Sequence, residues 1–584
     1  MATLYYRSTA TLWNDTTSWS TTSSAGASAG VIPTSGDTVI FDSGSSNTCT
    51  ISTTAAVCAS LTTWVQTSVF PAPLTYNAWT GTITLNVPLK VYGNIIISGG
   101  SGGTGTVTWA GTSYLQSMVS STITSRNCVV TNYLIGTNTN ITITLADSLV
   151  LSGYLKLGET TATATYTINA TTAGDYIDVG TDFLFVNATT GIVINGTAFI
   201  NIGRSPTPCN VSDTGFNAVS VYNSIYIKGN VIFGAAFRLF GAIYFTASPN
   251  NYNFFYPNRT TFWLGNGSSI NALSGGGPLS PQEVMDQYQF YQIGFLQTMT
   301  TTLNVNVYSK FLYFYHTATN TTTINGGTIY VGEKNGSVGS IFSTPAGGSI
   351  TQGTSTLEFV GIGGIGTWQA QGGRSMNWNI NINIRTQGTL YIYTRAFSNA
   401  ASAQDFILFG GGKTFAYYSG TVITKSLFYI PSFGWANFVK GGWLQVATGS
   451  TLIGFNKIAW GRIVMPGGGT VTMDEFPCGN PNIQTAMYSS TSGNYTINLT
   501  GTNSERIAQF IEVRSCTLGT TSRNKVIVTH PKGNLGFNSG LRFGDIMGHG
   551  IPKSLETNQI KYKNGKEIAY GAMGLVADPN FSSI

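Results

Sequence analysis

This 584-residue chain has 42% hydrophobic residues and only 9% charged ones, with a formal net charge of +6. A soluble globular chain usually carries about 25% charge. So thin a field argues against a nucleic-acid binder, which gathers Lys and Arg on one surface, and against catalysis by many ionisable groups. The 12% aromatic content argues against disorder, and the length predicts several domains or one repetitive body. Met1–Arg7 lacks the basic and apolar regions of a signal peptide, so synthesis in a cytoplasm is expected.

The first element is an N-terminal segment over residues 1–65. Trp13-Asn-Asp-Thr-Thr-Ser-Trp19 precedes Pro33-Thr-Ser-Gly-Asp37-Thr-Val-Ile-Phe41-Asp42 and Val57-Cys-Ala-Ser-Leu61. The two Trp rings are suited to lidding an apolar end. Pro33 and Gly36 predict a turn, with Asp37 and Asp42 accepting hydrogen bonds from turn amides. This segment resembles the opening of β-helix structural proteins of phages and viruses, such as tail fibres and spikes, and of some autotransporter-like surface proteins. The resemblance covers about 60 residues and carries over no catalytic residue. It implies a β-helix cap, and the missing signal peptide turns it towards a virion component.

A first β body is expected over 66–274 and a second over 301–500. Period-two alternation runs through Gly81–Val87, Ile141–Leu145, Leu303–Val307 and Gly388–Tyr393. Asn377–Arg385 alternates without error, placing Asn379, Asn381 and Asn383 on one face and Ile380, Ile382 and Ile384 on the other. The longest apolar stretch, Val231–Phe245, is broken by Arg238 and is too short for a membrane helix. It predicts two buried strands around Gly234 and Gly241. The fold class is all-β, an elongated parallel β-helix or β-solenoid that could include β-sandwich modules, with tandem β-sandwiches as the alternative. Hydroxyl and amide side chains favour the β-helix, because they can form ladders between successive coils where like charges would repel.

Between the bodies, residues 275–300 are expected to hold a helical insertion or seam. Ser280-Pro-Gln-Glu283 reads as a capping box opening a helix over Val284–Tyr291, after the Gly275–Gly277 joint. Residues 501–584 hold 10 Lys or Arg and 6 Asp or Glu, a denser charge than the rest, and predict a separate C-terminal module.

Side chains that could carry chemistry are few. Gly361-Ile-Gly-Gly-Ile-Gly366 spells a dinucleotide fingerprint, but the following Thr367–Gly373 is a poor helix, so a tight β-turn explains the glycines. His316, His530 and His549 lie at no metal-ligand spacing. Asp545 and His549 share a glycine-rich loop with no evident nucleophile. Glycosidase-like acid pairs could come from Asp175, Asp178 and Asp182, or from Asp474 with Glu475. On a strand, neighbours at those spacings face opposite ways, and surface or turn roles explain them better. The aromatic runs Phe254–Tyr256 and Phe311–Tyr315 suit a core or subunit interface, or sugar stacking where exposed. Cys49, Cys58, Cys128, Cys209, Cys478 and Cys516 read as buried free thiols, with a Cys49–Cys58 disulfide as the alternative. Sequons such as Asn140, Asn187, Asn258 and Asn494 occur about as often as chance provides in so Asn- and Thr-rich a chain.

No catalytic, cofactor-binding or metal residue is assigned. The expected protein is a non-enzymatic virion component that assembles with other virion proteins, forms a homo-oligomer such as a trimer, and attaches to a host-surface glycan. It has no nucleic-acid partner and no membrane insertion. The alternatives are a polysaccharide-degrading tailspike and a bacterial cell-surface adhesin.

Overall fold

The computed structural model describes residues 1–44, 46–52, 54–66, 76–97, 107–126, 128–136, 139–159, 164–172, 175–185, 191–194, 199–202, 209–213, 219–221, 224–227, 231–233, 237–239, 242–246, 261–273, 289–296, 298–315, 321–333, 335–343, 348–350, 353–369, 376–397, 407–430, 434–500, 506–520, 526–529, 536, 538–543, 562–563 and 566–567. These residues form an all-β protein whose sheets are built mainly from parallel strands, and the complete helical turns among them are two three-residue 3-10 turns. The chain divides into two compact units, residues 1–292 and 293–584.

In the first unit the chain visits three ladders in turn. Ser121–Thr124, Val129–Val130 and Tyr133–Ile135 are followed by Ile141–Leu145, Leu149–Leu151 and Leu155–Leu157, each paired in parallel with the strand three earlier. Register keeps like with like. Leu149 lies beside Ile177, and Leu89, Leu115, Tyr133, Leu155 and Phe183 form one continuous buried column. Outward positions form columns as well, with Thr122 beside Thr144 and Thr144 beside Asn169.

The ladders are braced by neutral side chains. Thr122, Thr142 and Thr165 donate their amides to Asn94 Oδ1 (2.9 Å), Ser120 Oγ (2.9 Å) and Asn140 Oδ1 (2.8 Å), partners 28, 22 and 25 residues earlier. Asn132, buried at 6% exposure, accepts from the Tyr154 amide at 3.1 Å and donates to Ser113 O at 3.0 Å. Each such bond contributes about 1 kcal/mol net, and far more is lost when a buried partner is left unmade.

At the first unit's start, Trp19–Ser20 pairs antiparallel with Thr3–Tyr6 and covers the open edge of a parallel ladder. Trp13 and Trp19 are buried with their rings edge-on at 4.8 Å, and Phe41 lies 4.6 Å from Trp79. Trp19 Nε1 donates to Trp13 O at 2.8 Å, so the indole polar atom is satisfied inside the cluster. Asp37 accepts from Ala2 N, Thr34 N and Thr34 Oγ1, while Asp42 accepts from Ser24 N and Gly44 N. The turn itself spans Thr34 to Asp37, so Pro33 precedes it rather than forming it.

Over most of its length the second unit alternates between two ladders, and Arg506–Ala508, Val526–Val528 and Arg542–Phe543 add a third towards its end. One runs through Trp443–Val446, Arg462–Met465, Thr485–Ser489 and Ile511–Val513, and the other through Thr328–Val331, Thr356–Phe359, Asn381–Phe397 and Thr414–Ile430. Ile329, Leu357, Ile382 and Phe415 form its buried column.

Several sequence expectations need correction. Parallel registers in both units oppose the tandem-sandwich alternative, because such sandwiches pair antiparallel strands. Val231–Phe245 holds parts of three strands, Val231–Phe233, Phe237–Leu239 and Ala242–Thr246, not two. Leu303–Val307 is a turn joining Met299–Leu303 to Val307–Tyr315. Asn377–Arg385 breaks at Asn379–Ile380, although Ile380, Ile382 and Ile384 are fully buried as the alternation predicts. The expected helix ends in error, since Gln289–Leu296 is a strand; residues 274–288 lie outside the described residues.

Candidate functional site

The second unit widens one of its sheets. Val307–Tyr315 pairs through residues 307–309 with Thr328–Val331, then through Phe311–Phe314 with Ser340–Ser343. Asn381–Phe397 does the same, meeting Thr356–Phe359 first and Ile365–Gln369 second. The added ladder continues through Thr389–Phe397 to Thr421–Tyr429 and is closed by the antiparallel strand Gly434–Lys440. Glycines make room for this branching. Gly361 has φ +136°, and a Cβ there would approach Val338 N to 2.6 Å.

Along Asn381–Phe397 the even-numbered residues from Ile382 to Ile392 are buried. The odd-numbered ones face outward: Asn381, Asn383, Arg385, Gln387, Thr389, Tyr391 and Tyr393. A single strand therefore shows a polar half followed by an aromatic half.

In the polar half, register lines up Tyr308, Tyr330, Glu358 and Asn383. The two tyrosine rings stack at 4.7 Å, and Asn383 Nδ2 donates to Glu358 Oε2 at 3.0 Å. Arg385 Nε lies 3.4 Å from Glu358 Oε1, and its guanidinium covers the Tyr418 ring at 4.5 Å. Burial, with Tyr330 and Glu358 alongside, pushes the Tyr308 hydroxyl up to about 12. At 5% and 8% exposure, Tyr308 and Tyr330 offer little open ring surface.

The aromatic half is more open. Phe311, Tyr313, Phe342, Tyr391 and Tyr393 are half-buried on its outward face, while Leu312, Phe314, Ile341, Trp368 and Ile392 fill the opposite face. Tyr391 and Tyr393 stack at 5.8 Å with an interplanar angle of 6°. Lys425 Nζ lies 4.8 Å from the Tyr391 ring centre, a contact worth about 0.5–1 kcal/mol at an exposed site. Burial, with Tyr391 beside it, raises the Tyr393 hydroxyl. The Phe311–Tyr315 run thus divides, with Leu312 and Phe314 in the core and Phe311 and Tyr313 outward.

The other candidates lie apart from this sheet face or serve the local structure. Gly361–Gly366 is a turn into the strand Ile365–Gln369, so no helix N-terminus faces it, and Gly361 O accepts from Gln387 N at 2.8 Å. Asp474 accepts from Gly454 N at 3.0 and 2.9 Å and from Glu475 N at 2.8 Å, while Glu475 is hydrogen-bonded by Asn456 Nδ2. Asp178 is buried in Tyr176–Val179 beside Asn201, Asp175 is hydrogen-bonded by Ser148 Oγ at 3.5 Å, and Asp182 lies on the next strand. Cys49 and Cys58 are buried free thiols, and Cys128, Cys478 and Cys516 are also free. Phe254–Tyr256, His316, His530, Asp545 and His549 lie outside the described residues. Among the described residues, no group of three or more His, Cys, Asp or Glu could hold a metal ion, and no helix is long and apolar enough to cross a membrane.

Tyr391 and Tyr393 sat inside a run already recognised as a strand, and their shared face was legible from it. Their cation, Lys425, arrives from the following long strand, and no local pattern announces that. No protein-family model matches this chain, and neither a curated protein nor a solved structure is found to resemble it.

Proposed function

We propose that this protein is a non-enzymatic structural component of a virus particle, a tail fibre, spike or surface fibre, that attaches to host-surface glycan. On this reading the parallel ladders within each unit are β-helix coils, with three strands per coil through most of the first unit and two through most of the second. The registers support that reading, because core columns continue strand by strand while side-chain amides and hydroxyls bridge successive coils. The observation that carries the attachment role is the outward aromatic half of the widened sheet, half-exposed beside a cation. Of the acids considered for a polysaccharide-cleaving spike, Asp474 and Glu475 are hydrogen-bonded to backbone amides or a neighbouring side chain and Asp175 to Ser148, which favours binding over cleavage. Assembly as a homo-oligomer with other virion proteins fits a fibre, in which aromatic faces find partners.

Antibodies raised against the whole chain test the proposal on purified particles. Decoration of the particle surface, with blocked adsorption to host cells, is expected. Unlabelled particles, or release of new reducing ends from host-envelope polysaccharide by the purified chain, would overturn it.

A further inference from the structure

The long strand Asn381–Phe397 carries two chemistries on one outward face. Among its outward residues from Asn381 to Tyr393, Arg385 alone is charged. Glu358, on the neighbouring strand, lies 3.4 Å from Arg385 Nε and offsets that charge. The Arg385 side chain is still 58% exposed, and its guanidinium lies over Tyr418, itself 49% exposed. Because Glu358 meets Nε, the terminal nitrogens of Arg385 stay accessible as donors. Gln387, exposed beside it, supplies a donor and an acceptor, and Thr389 adds a hydroxyl.

At the other end, Tyr391 and Tyr393 stand with rings 5.8 Å apart and nearly parallel. Lys425 lies over the Tyr391 ring, whose π face takes up part of its charge. The apolar face of a pyranose ring packs on such rings. Sugar hydroxyls need donors and acceptors side by side, which Arg385, Gln387 and Thr389 provide. An anionic polymer would meet the Glu358 carboxylate next to Arg385, which favours an uncharged one. Tyr391 lies six residues beyond Arg385, a span of about 20 Å at the usual rise of a strand. One or two sugars seated on the tyrosines stop short of Arg385, so a ligand that touches both ends is an extended chain.

We propose that this face binds a neutral, extended polysaccharide lying along Asn381–Phe397, with sugar rings on Tyr391 and Tyr393 and hydroxyls bonded by Gln387 and Arg385. The inference rests on the glycan-attachment reading and adds the ligand's charge class and minimum length.

Full-length protein is titrated with cellobiose, cellohexaose, polygalacturonate and host-envelope polysaccharide, at low and high ionic strength. Cellohexaose is expected to bind roughly tenfold tighter than cellobiose, the worth of one or two further hydrogen bonds, and to be indifferent to salt. Arg385→Gln should bring cellohexaose down to the cellobiose level while leaving cellobiose unchanged. Gln387→Ala should weaken cellohexaose alone, and it is the second route should Arg385→Gln disturb the fold. Tyr391→Ala with Tyr393→Ala should abolish binding of both, with circular dichroism unchanged. Equal affinities for cellobiose and cellohexaose overturn the extended site and leave glycan attachment standing. Polygalacturonate binding as tight as cellohexaose overturns the neutral assignment. So does binding of host-envelope polysaccharide with neither oligosaccharide bound. Binding of none of the four removes the attachment reading too.

Discussion

The two units bury similar columns of Leu, Ile and Phe but dress the opposite side of their strands differently. In the first, strands such as Ile141–Leu145 present Thr142 and Thr144, and register continues them as Thr167 and Asn169. In the second, the long strand Asn381–Phe397 passes from amides through Arg385 to Tyr391 and Tyr393. Inward columns and backbone ladders carry the architecture in both, so the outward positions are free to differ. In the first unit they brace neighbouring strands. The second unit sets the half-buried Tyr391 and Tyr393 side by side on its widened sheet, with Lys425 over the Tyr391 ring.

Matched core truncations test that separation most severely. Trp19→Ala in the first unit and Trp368→Ala in the second each remove a fully buried indole and should cost about 3–5 kcal/mol. Melting followed by calorimetry should show a comparable loss for both. Only Trp368→Ala, beneath the widened sheet, should also abolish polysaccharide binding. Equal loss of binding from Trp19→Ala would break the comparison.

Gly361→Ala comes next. A side chain at φ +136°, with its Cβ driven towards Val338 N, should cost about 1–3 kcal/mol and loosen the branch point. Chemical denaturation measures the loss, and an unchanged midpoint would show that the branch tolerates a side chain. In the first unit, Asn132→Ala strands the Tyr154 amide and Ser113 carbonyl and should cost about 1–3 kcal/mol without touching binding.

How much of this was legible in sequence depends on what alternation records. At Leu303–Val307 the alternating residues Leu303, Val305 and Val307 are all buried, yet the chain turns between them. Alternation reports which side is covered and is silent about where the backbone bends. Asn306 has a ladder role there, since its side-chain oxygen takes the Thr328 amide at 2.7 Å, 22 residues on. The segment after Ser280–Glu283 failed for another reason. Phe290, Ile293 and Phe295 are buried in a strand, and long-range pairing overrides local helix signals. The Trp13–Trp19 cluster was legible because its members lie close in sequence. Lys425 was not, because its place over the Tyr391 ring depends on pairing between strands far apart in sequence.

The smallest expected effect concerns pH. Partial burial pushes the Asp37 carboxyl up, but hydrogen bonds from Thr34 and the amides of Ala2 and Thr34 outweigh it and hold it below its ordinary value. A carboxyl depressed in the folded state stabilises fully above its unfolded value of about 3.9, and that contribution is lost as pH falls through the lower folded value. Acid titration of the N-terminal tryptophan fluorescence should therefore reveal a destabilisation below about pH 4 that Asp37→Asn flattens. An unaltered acid profile in that variant would mean that other groups govern the segment.

Hydroxyl-radical footprinting of the full-length chain, free and bound to host-envelope polysaccharide, addresses the division of labour most directly. Tyr391 and Tyr393 should become protected on binding while Tyr92, Tyr114 and Tyr154 in the first unit keep their free-state reactivity. Protection confined to the first unit, or bound polymer that leaves Tyr391 and Tyr393 equally reactive, would contradict the account.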